Sequence, residues 1–103
     1  MIIDFHAHLW ARDDAEEAIL RECQLHGVDK VCISGLASPI PDLDEVRRLN
    51  DRCYRAARAY PGFYLPFVYV NPLHGQAALE ELERGVDQGA VGLKLWISCH
   101  AHH

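Results

Sequence analysis

The feature that most constrains the fold of this 103-residue chain is a regular alternation of strand-like and helix-like segments. Strand-like segments begin near Ile2, Lys30, Phe63 and Val91, and a helix-like segment follows each of the first three. "DDAEEAILRECQLHG" has acids in its first turn, apolar residues at Ala15, Ala18, Ile19 and Cys23, and a glycine stop at Gly27. Acids suit the positive end of a helix and glycine suits the position just past its last turn, so about four helical turns are predicted. "VDKVCISG" is short and rich in β-branched residues, which favours a buried strand. In "DLDEVRRLNDRCYRAARAYPG", Leu43, Val46, Leu49, Cys53, Ala56, Ala57 and Tyr60 share one helical face, Asp42 and Glu45 have the spacing of a capping box, and Pro61-Gly62 ends the segment. "FYLPFVYVNP" reads as a third strand, although Pro66 removes one ladder donor. "GQAALEELERGVDQG" reads as a third helix with Ala78, Leu79, Leu82 and Val86 inward, and "AVGLKLW" as a fourth strand.

Strands separated by helices pair in parallel through right-handed crossovers. Two α/β architectures satisfy that rule here. One is a partial, half TIM barrel of four parallel strands and three helices; a whole barrel takes about 250 residues. The other is a small open sheet with helices on both faces. Periodicity does not separate them, but the direction of the polar residues does. The chain is expected to form a single domain over residues 1–103, with 98–103 as an irregular tail.

The net charge of −5, with ten Lys and Arg dispersed among fifteen acids, leaves no basic stripe for a phosphate backbone, so nucleic acid is not an expected partner. The apolar runs are strand-sized and Met1 leads directly into a strand, so neither a membrane span nor a signal segment is expected and the expected location is cytoplasmic. Cys23, Cys32, Cys53 and Cys99 show no paired spacing and are expected to be reduced thiols.

The chemistry-bearing residues fall at predicted strand ends. In "DFHAH", alternation along an extended strand would place Asp4, His6 and His8 on one side and Ile3, Phe5 and Ala7 on the other. Two imidazoles two residues apart on one strand face can converge on a single divalent ion, or they can be polar residues at a strand end. In the fourth strand Lys94 leaves the apolar face of Val91, Leu93 and Leu95 and points where the histidines point; on an open sheet it would simply meet water. Ser34 and Asn71 also stand at strand ends, where a barrel carries its active face, and Asn71 precedes Pro72 in what reads equally as a structural turn. Trp10 is placed to wall a pocket or to pack, and Asp4 to orient a histidine or to make a strand hydrogen bond.

"IDFHAHLW", "HGVDKVCISG", "FVYVNP" and "GAVGLKLW", taken in order over residues 1 to 98, resemble the amidohydrolase superfamily. The likeness is to the amidohydrolase-related branch of metal-dependent hydrolases and decarboxylases similar to aminocarboxymuconate-semialdehyde decarboxylase. The resemblance implies a distorted eight-stranded barrel and a divalent metal, zinc foremost. It also implies water activated on that metal for attack on the carbonyl of a small-molecule substrate. His6 and His8 match two ligand positions, and Lys94 matches a lysine that bridges two metals in some branches or meets a substrate carboxylate.

The chain ends just after the fourth strand, without the fifth-strand histidine and eighth-strand aspartate that the resemblance would add. The expected function is therefore that of a metal-dependent hydrolase represented by its N-terminal half, inactive as this chain alone. The alternatives are a metal-dependent decarboxylase of the same branch and a non-catalytic α/β fragment. The tail "ISCHAHH" adds His100, His102 and His103 as a fortuitous metal-binding cluster, a tag remnant or read-through after a frameshift, while His26 and His74 read as capping or surface residues. A half barrel leaves its inner face and the edge of its fourth strand unpaired, so self-association is expected.

Overall fold

A computed structural model describes residues 1–9 and 12–95 of the chain. Its elements are β1 (Ile3–Leu9), α1 (Ala15–His26), β2 (Lys30–Gly35), α2 (Leu43–Ala59), β3 (Tyr64–Tyr69), a 3-10 turn (Pro72–His74), α3 (Gln76–Asp87) and β4 (Gly92–Lys94). The sheet has four strands in the order β1-β2-β3-β4, and every pair is parallel.

The register decides between the two architectures. Val31 and Ile33 of β2 pair with Tyr64 and Pro66 of β3, so these side chains share a face, and Val68 continues it by the two-residue period. On that face Val31, Ile33 and Tyr64 form a buried core with Leu9, Ala15, Cys53 and Ala56, which brings in α1 and α2. Val68 and Val70 pack with Ala78 and Leu82 of α3. All three helices therefore cover one face, and an open sheet covered on both faces is excluded. The fold is half of a TIM barrel, with Cys32, Ser34, Phe67, Tyr69, Gly92 and Lys94 alternating onto the uncovered face.

Local chemistry fixes the elements. Gly27 adopts the left-handed conformation (φ 73°) and closes α1 with a backbone bond to the Cys23 carbonyl. The Asp42 side chain accepts the Glu45 N–H at 2.8 Å and caps α2. Pro66 does not interrupt β3: it pairs with Ile33, and its carbonyl accepts the Val91 N–H at 2.9 Å on the side of β4.

Two expectations from periodicity are corrected. Strict alternation from Asp4 to His8 fails because the β1 register shifts between Asp4, which pairs with Val31, and Ala7, which pairs with Ile33. Three steps along β1 match two along β2, so Asp4 loses the parity it would share with His8, and Phe5 is 71% exposed at the irregularity. In α3, Leu79 and Val86 are not inward; they are 56% and 63% exposed. The buried face is Ala78, Glu81 and Gly85. A side chain at Gly85 would come within 2.6 Å of Val68, so the helix sits too close to β3 for anything larger, and this rotates Leu79 and Val86 outward.

Candidate metal centre at the end of β1

His6 lies within the irregular stretch of β1 and His8 just past it, near the carboxyl end of the strand. Their Nε2 atoms are 3.0 Å apart, and the two rings meet edge to face with centroids 4.8 Å apart. Two nitrogens bound to one tetrahedral zinc at about 2.0–2.1 Å would lie about 3.3 Å apart, so these rings need only a small adjustment to share an ion. The donor set fits two coordination positions. Among the described residues no group of three His, Cys, Asp or Glu is placed to hold a metal, so the described part of the chain offers half of a site.

The second strand supports the first. His8 pairs with Ser34 across the β1–β2 ladder, and its Nδ1 lies 3.1 Å from the Ser34 Oγ. Ser34 is 4% exposed and His8 is half-buried. Burial holds the His8 imidazole below the ordinary histidine value, positive charge on His6 and Lys94 lowers it further, and a hydrogen bond to the Ser34 backbone opposes the trend. A neutral imidazole is the form that can ligate a cation.

The other residues named from the sequence are distributed differently. Lys94 pairs with Tyr69, whose parity along β3 is that of Leu65, the partner of Cys32, and His8 pairs with Ser34, so the register puts Lys94 on the same side of the sheet as His8. The Asp4 carboxylate accepts the backbone N–H of His6 at 2.9 Å, so it steadies the strand irregularity through the main chain. Asn71 is buried and caps the 3-10 turn, accepting the Leu73 N–H at 3.0 Å, which is the structural-turn role. Trp10 lies outside the described residues, as do Cys99, His100, His102, His103 and the expected 98–103 tail. Cys32 and Cys53 are buried free thiols and Cys23 a half-buried one; burial pushes the Cys53 thiol up to about 12. An open cleft of about 440 Å³ between β1 and α1 is lined in part by His6, His8, Arg12, Ile19, Glu22 and Cys23. Its α1 wall was not legible in the sequence, because only the β1–α1 spacing creates it.

No protein-family model and no curated protein matches the chain. Solved structures do. The chain is similar to 2,6-dihydroxybenzoate decarboxylase from Rhizobium (26% identity, TM-score 0.73), with 89% of this chain covering 37% of that one. The same coverage of this chain is found with a 2,6-dihydroxybenzoate decarboxylase complexed with 2,6-dihydroxybenzoate, at 25% identity and TM-score 0.74 over 38% of that chain. A Staphylococcus aureus protein provisionally classed as an amidohydrolase shares 18% identity and TM-score 0.78, over 89% of this chain and 36% of its own. The likeness seen in the motifs thus extends to three dimensions: the chain has the fold of part of an amidohydrolase-type barrel and spans little more than a third of the length of these enzymes.

Among the described residues no helix is long and apolar enough to cross a membrane.

Proposed function

We propose that this chain is the portion of a metal-dependent amidohydrolase-type enzyme that supplies the first two imidazole ligands. The convergence of the His6 and His8 Nε2 atoms at 3.0 Å carries this reading. A divalent ion, zinc foremost, supplies Lewis-acid polarisation of a substrate oxygen when bound. The chain's own residues do the rest: His6 and His8 hold the ion from one strand, and Lys94, on the same side of the sheet, offers an ammonium to a carboxylate of a small-molecule substrate or to a second metal's bridging group. Hydrolysis of an amide or ester is the first reading. Decarboxylation is the second, favoured by the 26% identity to a decarboxylase and by Lys94, whose charge suits an acid substrate.

Isothermal titration with zinc tests the assignment. The tail histidines are substituted (His100→Ala, His102→Ala, His103→Ala) so that they do not compete. Adding His6→Ala and His8→Ala should then remove most of the remaining affinity. Equal binding with and without the pair would rule it out as the site.

We also propose that the chain associates with itself. Ile2 and Phe5 at the β1 edge and Val91, Leu93 and Leu95 along β4 are all more than two-fifths exposed. Burying a few hundred Å² of such surface at roughly 25 cal/mol per Å² contributes several kcal/mol. Sedimentation at tens of micromolar should show a dimer or larger species, and a cooperative monomer would refute the proposal.

A further inference from the structure

The His8 ring makes two contacts, one through each nitrogen, and the role of each depends on where its proton sits. Nε2 faces Nε2 of His6 at 3.0 Å, and Nδ1 faces the Ser34 Oγ at 3.1 Å. A neutral imidazole carries one proton. If it sits on Nε2, that nitrogen has no lone pair to offer. If it sits on Nδ1, Nε2 is bare and faces the same point as Nε2 of His6. The Ser34 hydroxyl can accept from a protonated Nδ1 or donate to a bare one, and its position is fixed: Ser34 is 4% exposed, lies inside β2, and is registered directly against His8 by the parallel ladder.

We propose that Ser34 is a positioning residue for the histidine pair: its Oγ accepts the Nδ1–H of His8, which selects the ring tautomer and orientation that present a bare Nε2 to a shared divalent ion. The inference rests on the metal reading above and deepens it. Partners on the far nitrogen of a ligand histidine commonly change metal affinity by about 10- to 100-fold, and a neutral hydroxyl belongs at the lower end of that range. Ser34 is suited to the role by its backbone placement, since the pairing of His8 with Ser34 sets the backbone separation that the two side chains span.

The test is a long-range 1H–15N correlation of the imidazoles in the full chain, compared among the parent protein, Ser34→Ala and Ser34→Thr. The metal-free parent should show His8 with its proton on Nδ1. Ser34→Ala, which removes one oxygen, should shift His8 towards the Nε2–H form while His26 and His74 keep their signals. Zinc followed through the His6 and His8 nitrogens should then require about 10-fold more metal for half-saturation. Ser34→Thr restores a hydroxyl and should keep the parent tautomer and midpoint. An Nε2–H His8 in the parent, or a Ser34→Ala variant with unchanged tautomer and midpoint, would overturn the role of Ser34. A parent His8 that carries Nδ1–H and loses it in Ser34→Ala, while zinc moves neither imidazole, would uphold the hold of Ser34 on the ring and overturn the metal reading instead.

Discussion

The two sides of this half barrel are held in different ways. Where α2 and α3 meet β3, the contact is a buried polar network. Asn50, fully buried, donates from Nδ2 to the Tyr69 carbonyl and to Glu81 Oε2, both at 2.8 Å, and its Oδ1 accepts the Tyr69 N–H at 2.9 Å. Its amide thus pairs with one β3 residue as a neighbouring strand would. Glu81, 1% exposed, is gripped by Arg84 through two bonds of 2.8 and 2.7 Å, and Arg84 reaches Asp51 at 2.6 Å. Among the described residues the side that carries the histidines shows no buried network of this kind. There α1 buries only Ala15 fully and is tied at its first turn, where Arg52 bonds Glu16 at 2.7 and 3.1 Å and the Tyr64 hydroxyl donates to the Glu16 carbonyl at 2.6 Å. Beyond that turn the helix borders the open cleft beside His6 and His8. The scaffold is closed on one side, and the surface with the chemistry is left open on the other.

Breaking the closed side should have the largest effect. Asn50→Leu removes three buried hydrogen bonds and leaves the buried Glu81 carboxylate with one partner fewer. Each buried polar group so deprived costs about 1–3 kcal/mol, so the total loss should be about 3 kcal/mol or more, read as a fall in the urea midpoint. A loss below about 1 kcal/mol would mean that the network is not what closes this side.

The open side should respond less. The hydrogen bond from Arg52, first among the causes, holds the Glu16 carboxyl below its usual value, against burial, which raises it. A depressed carboxyl contributes stability that is fully present above the unfolded value near 4.5 and is lost as the pH falls through the lower folded value. Glu16→Gln should therefore cost about 1 kcal/mol or less at neutral pH, and the difference from the parent should vanish in acid. Denaturant midpoints of both proteins between neutral pH and pH 3 check this. A penalty equal to that of Asn50→Leu would erase the contrast between the two sides.

The sequence carried the element order, because apolar spacing and the stops at Gly27 and Pro61-Gly62 are local signals. It also carried the histidine pair, whose Nε2 atoms converge although His6 lies within the irregular stretch of β1. The irregularity in β1 was not legible: a register shift is a relation between two strands, and nothing inside "DFHAH" marks it. The same holds for the turn of α3, which is set by the close approach of Gly85 to Val68, and for Asn50 and Glu81, whose polar side chains read as solvent-facing until their partners are in place. Ser34 could be placed at a strand end from the sequence, but its contact with His8 appears only through the parallel pairing of β1 with β2.

The central claim is that His6 and His8 converge on one ion. Zinc added stepwise to the 15N-labelled chain with its tail histidines replaced by alanine tests it most directly, with both Nε2 resonances followed together. The two should move with one common midpoint and saturate at one equivalent. If only one of them moves, or the two respond with separate midpoints, the histidines do not share an ion and the site is not a metal centre.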